Sequence, residues 1–561
     1  MVGNQSSPFI NQVHLQRLKQ LCEHYELHQA TKTDIPTLSE QLNCSDRNIA
    51  KLVKTLANIG WLSWQPGRGR GNKSEITLHT SFESALMLLL EQHCHKGQLS
   101  EASRYAESFG FSEIFRKRLP HWLSVAQENL KAKNSLITLV PYTVPNMHPL
   151  WSYRAASRLY IDAMYDTLLK YDRETKSIRP HIAHYYEFRD NELWLRLRSD
   201  VLFHNGEKLT AEHVATCLTD RMTKPHTYQN LYRHILNVRT EGAWVILTMT
   251  HKQPLILHIL ADNNASIYRE TSERTIPYGT GPFMLESHNK HQWVLAKFPD
   301  YFSYGGFIDK AEFWTSDTSE TKIQGHIVHH GYSSNGFTAC DQVALQTGCD
   351  IIAFPNSEQS LSMDEKAWIF HHAREFCHQV TNKILPVANS VVGYHQHQGV
   401  YLYHHKMKQP TQVIRVLAAH SNKYRIQLLK YLESKGAKFE ICSDDETEHT
   451  KFDMTVGGYV FSDDDMFGYF KWLICSSVFK YCLSPQQQEA FINIVDKLLL
   501  SSDSEMNYLN QLHRCEDWLI QHGIFFPLWR DSLSYNFDKS LQGAETDSAG
   551  TVSLRKLWFE D

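Results

Sequence analysis

Six basic side chains, Arg47, Lys51, Lys54, Arg68, Arg70 and Lys73, stand between Ser45 and Lys73 against one acid, Asp46. The whole chain of 561 residues carries a formal charge of -4, so this excess is local rather than compositional. Cations concentrated in this way neutralise phosphates, and a guanidinium such as that of Arg47 can read a base edge in the major groove. The elements that would hold them follow from spacing. Leu15, Leu18, Cys22 and Tyr25 repeat on one helical face, and Leu38 and Leu42 mark a short second helix after Pro36. Ser45 stands at an N-cap position, Ile49, Leu52, Val53 and Leu56 form the apolar stripe of a third helix, and Gly60 can end it. Arg47, Asn48 and Lys51 fall on the opposite face of that helix. Trp61 to Gln65 and Glu75 to Leu78 flank the turn PGRGRGNK as a hairpin.

Three helices and a hairpin predict a winged helix-turn-helix over residues 1–80, with double-stranded DNA as its partner. Ser45, Arg47, Asn48, Lys51 and Lys54 would lie on the recognition helix, and Arg68, Arg70 and Lys73 on the wing. A short basic helix can be a solvated face and a glycine-arginine turn a plain hairpin tip. The order of the elements favours the nucleic-acid reading over both.

Other residue types suggest metal chemistry. The 32 histidines include His371, His372 and His378 beside Cys377, and His395, His397, His404 and His405. Imidazole and thiolate suit zinc or nickel, but the spacing fits no HExxH or paired-cysteine site, so no metal or cofactor is assigned. Neither a GxSxG elbow, a P-loop nor a dinucleotide fingerprint occurs, which leaves an enzyme without support. Eleven cysteines lie scattered without a CxxC pair, as expected of a reducing compartment. The first residues lack a basic and then apolar leader, and runs such as Ala85 to Leu90 fall short of the roughly 18 residues that span a bilayer. A cytoplasmic protein without membrane contact is expected.

The length predicts two or three domains. Residues 81–132 read as a helical connector, with Phe82, Leu86, Leu89 and Leu90 on one stripe and a second stripe from Ile114 to Leu130 interrupted at Pro120. Further on, Leu193, Leu195 and Leu197 alternate with Trp194, Arg196 and Arg198, the period of a half-buried strand. His204-Asn205-Gly206 follows as a turn, and Thr210 stands as the N-cap of a helix carrying Ala211, Val214 and Leu218.

These residues carry a resemblance. The run Arg198-x-x-Val201-x-Phe203-His204-x-Gly206-x-x-Leu209-Thr210-Ala211-x-x-Val214 resembles the signature of the extracytoplasmic solute-binding proteins, family 5. Tyr165-Asp166-x-Leu168, Arg179-Pro180-x-Ile182-Ala183, Gly279-Thr280-Gly281-Pro282-Phe283 and Phe298-Pro299-Asp300-Tyr301-Phe302 are similar to further landmarks of that family, in order. Asp200 departs from the usual glycine and His213 from the usual aspartate. The resemblance implies a bilobal α/β periplasmic-binding-protein-like domain over residues 133–561. Its first lobe would take residues 136–315 and 526–561, with Phe526-Pro527-Leu528-Trp529 as a late strand, and its second lobe residues 316–525. In the second lobe, Val413 to Ala418, Lys423 to Lys435 and Phe439 to Cys442 read as strand, helix and strand.

Peptide-binding relatives hold the ligand's amine with an aspartate in a run that Gly458 to Met466 resembles, and Ser462 stands at that position here. A free peptide amine is thereby disfavoured, although Asp463 could substitute. Asn146, Trp151, Tyr278, Tyr459, Ser462 and Asp463 are the candidate ligand residues, as aromatic walls with a few polar groups. Packing is the competing role, above all for Trp151.

A winged helix joined to such a domain, with Gly60-Trp61-Leu62-x-Trp64 and Gly69-Arg70-Gly71-x-Lys73-Ser74, resembles the SgrR family of bacterial transcriptional regulators. That resemblance implies a DNA-binding regulator sensing a small solute, such as a sugar phosphate or related metabolite, with RNA polymerase as a further candidate partner. Solute binding would close the lobes and act on the winged helix through the connector. The alternative is a solute- or metal-binding protein, for a peptide or nickel-type ligand, whose N-terminal domain contacts a protein.

Overall fold

The computed structural model describes residues 11–560 apart from 69–71, 132–133, 141–144, 153–156, 273, 316–326, 333–341, 346, 358–359, 382–385, 393–404, 419–422, 443–451, 501–504, 531 and 550. Its contacts divide into two compact units, the first built on Met1–Lys133 and the second on Asn134–Thr318 and His326–Asp561.

The first unit opens with α1 (Gln12–His24), whose N-cap Asn11 accepts a hydrogen bond from His14 N at 3.1 Å. After it come β1 (Thr31–Thr33), α2 (Ile35–Gln41), α3 (Asp46–Ile59), β2 (Leu62–Gln65) and β3 (Ser74–Leu78). Leu15, Leu18, Leu38, Ile49, Val53 and Leu56 are buried together, so the apolar spacing of the three helices becomes one core. Gly60 ends α3 at φ 86°, the left-handed conformation in which a glycine carries no Cβ penalty. Ser45 occupies the N-cap position of α3, but its side chain makes no capping hydrogen bond. Asp34, ahead of α2, does cap: it accepts from Thr37 N at 2.9 Å. The wing is a three-stranded sheet in the order β1-β3-β2 rather than a bare hairpin. Three residues were too short a stretch for periodicity to reveal β1.

The expected connector belongs to this same unit. Its helices α4 (Phe82–His95), α5 (Leu99–Ser108) and α6 (Ser112–Lys131) bury Phe82, Leu86, Leu90, Phe115, Leu119 and Trp122. Pro120 does not interrupt α6. It removes one backbone donor and costs a helix about 3 kcal/mol, and burying the aromatic and leucine side chains on either side offsets that loss.

The second unit holds three main sheets. The largest has seven strands in the order Phe283–His288, Gln292–Lys297, Lys310–Thr315, Ser135–Val140, Ile327–Tyr332, Ser532–Phe537 and Gln342–Leu345. A four-stranded antiparallel sheet, Ala183–Arg189, Glu192–Leu197, Trp244–Met249 and Ile235–Glu241, flanks it within the first lobe. Leu193, Leu195 and Leu197 are buried there as their alternation requires. The second lobe is a five-stranded sheet of Lys438–Cys442, Val413–Ala418, Met454–Tyr459, Cys349–Ala353 and Phe525–Pro527, with helices that include Met363–Thr381, Lys423–Ser434, Asp465–Cys475, Pro485–Leu500 and Glu505–Gln521.

The lobe boundaries differ from expectation. Phe525–Pro527 pairs with Cys349–Ala353 in the second lobe, whereas Ile327–Tyr332 and Gln342–Leu345 belong to the first-lobe sheet. The chain therefore crosses between Leu345 and Cys349 and returns between Pro527 and Ser532. An apolar strand looks the same in either lobe, and only its pairing partner distinguishes them. Among the described residues, no helix is long and apolar enough to cross a membrane, and the ten cysteines are all free.

Candidate nucleic-acid interface and solute cavity

On α3 the stripe Ile49, Val53 and Leu56 is buried, and Arg47, Asn48, Lys51 and Lys54 are exposed. None of the three cations is drawn into an ion pair among the described residues, so their charge is available to an external polyanion. Arg68 and Lys73 are exposed at the wing, where Asn72 Nδ2 donates to the Arg68 carbonyl at 2.5 Å. A Cβ at Gly67 would meet the Asn72 carbonyl oxygen at 2.2 Å, so the two sides of the turn approach too closely for a side chain. Arg70 lies outside the described residues. Ser45 is exposed at the start of the helix.

In the second unit, the motifs that carry the family resemblance assemble a scaffold. Gly279 N donates to His204 Nδ1 at 3.3 Å, and His204 Nε2 lies 3.0 Å from the Gly281 carbonyl. Since Nδ1 must accept and Nε2 must donate, the imidazole is neutral, and burial pushes its pKa down to about 4 from 6.5. A Cβ on Gly279 would sit 1.9 Å from the Met164 carbonyl oxygen, which explains the glycine of that motif. Asp166 is buried and accepts from Arg555 Nη2 at 2.9 Å, Lys170 Nζ at 3.0 Å and His181 Nε2 at 2.8 Å. Burial alone would raise its pKa, but Arg555 and Lys170 outweigh that and hold it well below the carboxylate range.

The two departures from the family pattern have local explanations. Thr210 Oγ1 accepts from His213 N at 3.4 Å while His213 Nδ1 accepts from Thr210 N at 3.2 Å, so histidine completes a capping box. Asp200 accepts both Arg198 Nε at 3.0 Å and Nη2 at 2.8 Å.

His204 yields a pH prediction. Its unfolded imidazole binds a proton near pH 6.5 and its folded one only near 4, so the unfolded state holds the extra proton between those values. Stability is then fully present above pH 6.5 and declines as pH falls toward 4. Melting curves across that interval should show the decline, with a shallower slope in His204→Gln; equal slopes would remove His204 as a contributor.

A cavity of about 640 Å³ opens beside this scaffold, with Asn146, His148, Trp151, Glu270, Arg274 and Thr275 among its walls. That volume is in the range of small-molecule sites. Trp151 is 40% exposed, and its ring lies 6.0 Å from that of His148. Leu150 N donates to His148 Nδ1 at 3.1 Å, so His148 Nε2 donates to Glu270 Oε1 at 3.2 Å. Burial pushes the His148 pKa down, with Glu270 opposing. Asn146 Oδ1 accepts from His148 N at 2.9 Å.

Asn146 and Trp151 are thus brought together, but the other expected ligand residues are not in these walls. Tyr278 ends the strand Arg274–Tyr278 under the Arg274 guanidinium, 4.5 Å from the ring centroid. The Tyr459 hydroxyl bonds Ser477, and the ring packs edge-on against Trp472 at 5.6 Å; burial pushes its pKa up to about 12. Ser462 is half-buried in the loop that follows. Asp463 accepts from Ser548 N at 2.9 Å and Ser548 Oγ at 2.8 Å. His148, Glu270 and Arg274 were missed because His148 lies in a loop and the strands of Glu270 and Arg274 are short and polar, and only the fold brings them to one concavity.

The acidic run serves contacts between the lobes. Asp464 caps the helix Asp465–Cys475 and lies 2.5 Å from His258 Nδ1, and Lys471 Nζ reaches Asp262 at 2.6 Å. Asn230 Nδ2 donates to the Ile474 carbonyl at 2.8 Å, and Arg233 pairs with Asp496. Burial would raise the Asp496 pKa, but bonds from His234 and Arg233 hold it at about 2.

Of the histidine clusters, His371 and His372 lie with Glu375, the one group of three possible metal ligands among the described residues. Glu375 also receives Lys435 Nζ at 3.5 Å and the Tyr431 hydroxyl at 3.3 Å, which compete with a cation there. Burial pushes the neighbouring Cys377 thiol up to about 12, far from a thiolate ligand. His395, His397 and His404 lie outside the described residues.

Comparison with known proteins follows this division. Residues 14–117 match the family described as sugar transport-related sRNA regulator N-term, and residues 177–325 match bacterial extracellular solute-binding proteins, family 5 middle. The HTH-type transcriptional regulator SgrR of Yersinia enterocolitica is 22% identical over 560 residues, 94% of this chain and 95% of the relative. YhjP of Bacillus subtilis, an uncharacterized protein, is 21% identical over 577 residues, 96% of this chain and 97% of its own length. The substrate-binding domain of an oligopeptide ABC transporter from Bacillus anthracis matches 76% of this chain and 99% of its own with a TM-score of 0.62 at 14% identity. NikA from Staphylococcus aureus, solved with Ni(L-His)2, covers the same share of this chain and 100% of its own at a TM-score of 0.59 and 14% identity. With a match to the SgrR N-terminal family at residues 14–117, a match to the family 5 solute-binding proteins behind it, and SgrR relatives aligned over nearly the whole chain, this protein is similar to the SgrR regulators from end to end.

Proposed function

We propose that this protein is a DNA-binding transcriptional regulator whose family 5 domain senses a small solute. The observation that carries this reading is the exposed basic face of α3, free of ion pairs among the described residues, on a winged-helix scaffold in a chain similar to SgrR regulators over 94% of its length. Arg47 and Asn48 read base edges, Lys51 and Lys54 contact phosphates, and the wing cations Arg68, Arg70 and Lys73 hold the flanking backbone. The regulator works in the cytoplasm, and no chemistry is catalysed. The solute enters the cavity lined by Asn146 and Trp151. Its binding favours one arrangement of the lobes, and the helices of residues 81–132 carry that preference to α3. RNA polymerase is a later partner, recruited once operator is bound.

Retention of duplex DNA by the full chain, titrated against salt, tests the reading. Counterion release predicts log affinity falling with log salt at a slope of about -0.9 for each phosphate neutralised. Absence of retention even at low salt would return the N-terminal domain to a protein-contacting role. Coupling has its own signature, because a solute that alters operator affinity about 5–150-fold must have its own affinity altered by the same factor when operator is present. Equal solute affinity with and without operator would remove coupling through binding.

A further inference from the structure

Two charged side chains face the 640 Å³ cavity in different states. Glu270 is already matched: its Oε1 lies 3.2 Å from His148 Nε2 and its Oε2 3.7 Å from Lys224 Nζ. Lys224 in turn also holds Asp220 at 2.9 Å. Arg274 has no carboxylate partner among the described residues, and its recorded contact is the Tyr278 ring beneath it, 4.5 Å from the centroid. Stacking engages the flat face of a guanidinium and leaves the N–H fork along its edge unused. The surrounding walls include the hydroxyl-bearing residues Thr271, Ser272 and Thr275, and Thr271 Oγ1 is out of solvent without a hydrogen-bond partner among the described residues. Trp151 adds a 40% exposed indole, an apolar surface on which the body of a solute can pack.

The chemistry of these walls discriminates. A cationic solute meets the unpaired guanidinium as a like charge. One without charge leaves its donors without an acceptor once water is expelled. A carboxylate or phosphoryl group matches the fork in a bidentate arrangement, with the hydroxyls as further donors.

We propose that the cavity is an anion-binding site in which Arg274 forks onto a carboxylate or phosphoryl group while Trp151 packs on the remainder of the solute. This rests on the reading of the second unit as a solute sensor, and it narrows the solute to small anions. Arg274 is then the residue that sets specificity, and Tyr278 holds its stem in place.

Calorimetry on the full chain with benzoate, its uncharged analogue benzamide, and inorganic phosphate tests this. Wild type should bind benzoate and phosphate, and Arg274→Met should weaken both by about tenfold or more, the loss of a charge-assisted contact. Trp151→Ala should weaken benzoate and leave phosphate unchanged. Tighter benzoate marks a carboxylate on an apolar body as the natural chemistry, and tighter phosphate a phosphoryl group. Arg274→Met keeps an apolar stem over Tyr278, and melting curves check its fold; if it does not fold, Arg274→Gln replaces it. Unchanged anion affinity in the Arg274 variant overturns the proposal, as does benzamide binding as tightly as benzoate. In either case a loss on Trp151→Ala would leave the solute-cavity reading standing. No binding of any probe at millimolar concentration, or binding indifferent to both substitutions, overturns the two together.

Discussion

Replacing Arg47, Lys51 and Lys54 together with alanine removes duplex retention at physiological salt and leaves the melting of the protein unchanged. The three side chains are exposed and make no ion pair among the described residues, so the fold loses no salt bridge with them. Alanine is also the residue most favourable to helix, which preserves α3. A base contact at Arg47 is worth about 1–3 kcal/mol, a loss of roughly 5–150-fold before the phosphates are counted. Losing the lysine contacts should lower the salt slope by about 2. Single variants separate the roles: Arg47→Ala relaxes sequence preference, whereas Lys54→Ala weakens all sequences alike. Fluorescence anisotropy over a salt series measures both quantities. A triple variant with wild-type affinity and slope would move the interface elsewhere.

The largest stability effect is expected at Asp350 and Arg425 in the second lobe. Arg425 Nε donates to Asp350 Oδ2 and Nη2 to Oδ1, both at 2.8 Å, and the side chains are 1% and 7% exposed. A Cβ at Gly458 would stand 2.3 Å from Asp350 Oδ1, so the neighbouring strand is pressed against the pair. Breaking a buried pair from one side is strongly destabilising, and Asp350→Leu should cost about 3–5 kcal/mol. Asp350→Leu with Arg425→Met removes both charges and should recover most of that loss. Urea unfolding of the three variants gives the comparison, and a double variant as unstable as the single would show that packing rather than charge sets the cost.

Periodicity identified the helices of the first unit because one apolar face of each is buried in a shared core, and Ile49, Val53 and Leu56 show the link directly. It likewise found the strand Glu192–Leu197, whose leucines face inward. The continuity of α6 through Pro120 could not be read, since it depends on tertiary burial that no local rule contains. Lobe membership of Phe525–Pro527 failed for a similar reason: pairing across about 170 residues leaves no local trace. The family motifs were recognisable, yet His204, Asp166 and Gly279 proved to be scaffold. The cavity was half legible. Asn146 and Trp151 stood out by type, but Arg274 became a candidate only when the fold placed it in the cavity wall with no carboxylate partner among the described residues.

The strands that flank the two crossings between the lobes pair with each other in both sheets. Gln342–Leu345 pairs antiparallel with Ser532–Phe537 in one sheet, and Cys349–Ala353 pairs antiparallel with Phe525–Pro527 in the other. Backbone bonds between Asp350 and Leu528 at 2.8 Å, and between Asp350 and Trp529 at 2.8 Å, carry the pairing almost to the gap. The flanking strands therefore form a ribbon two strands wide on either side of the joint rather than a pair of independent tethers. A ribbon of that kind flexes readily across its plane and resists shearing within it, because in-plane motion would break the bonds that hold the strands in register. Bending across the ribbon is thereby the relative movement of the lobes that these strand pairs leave free.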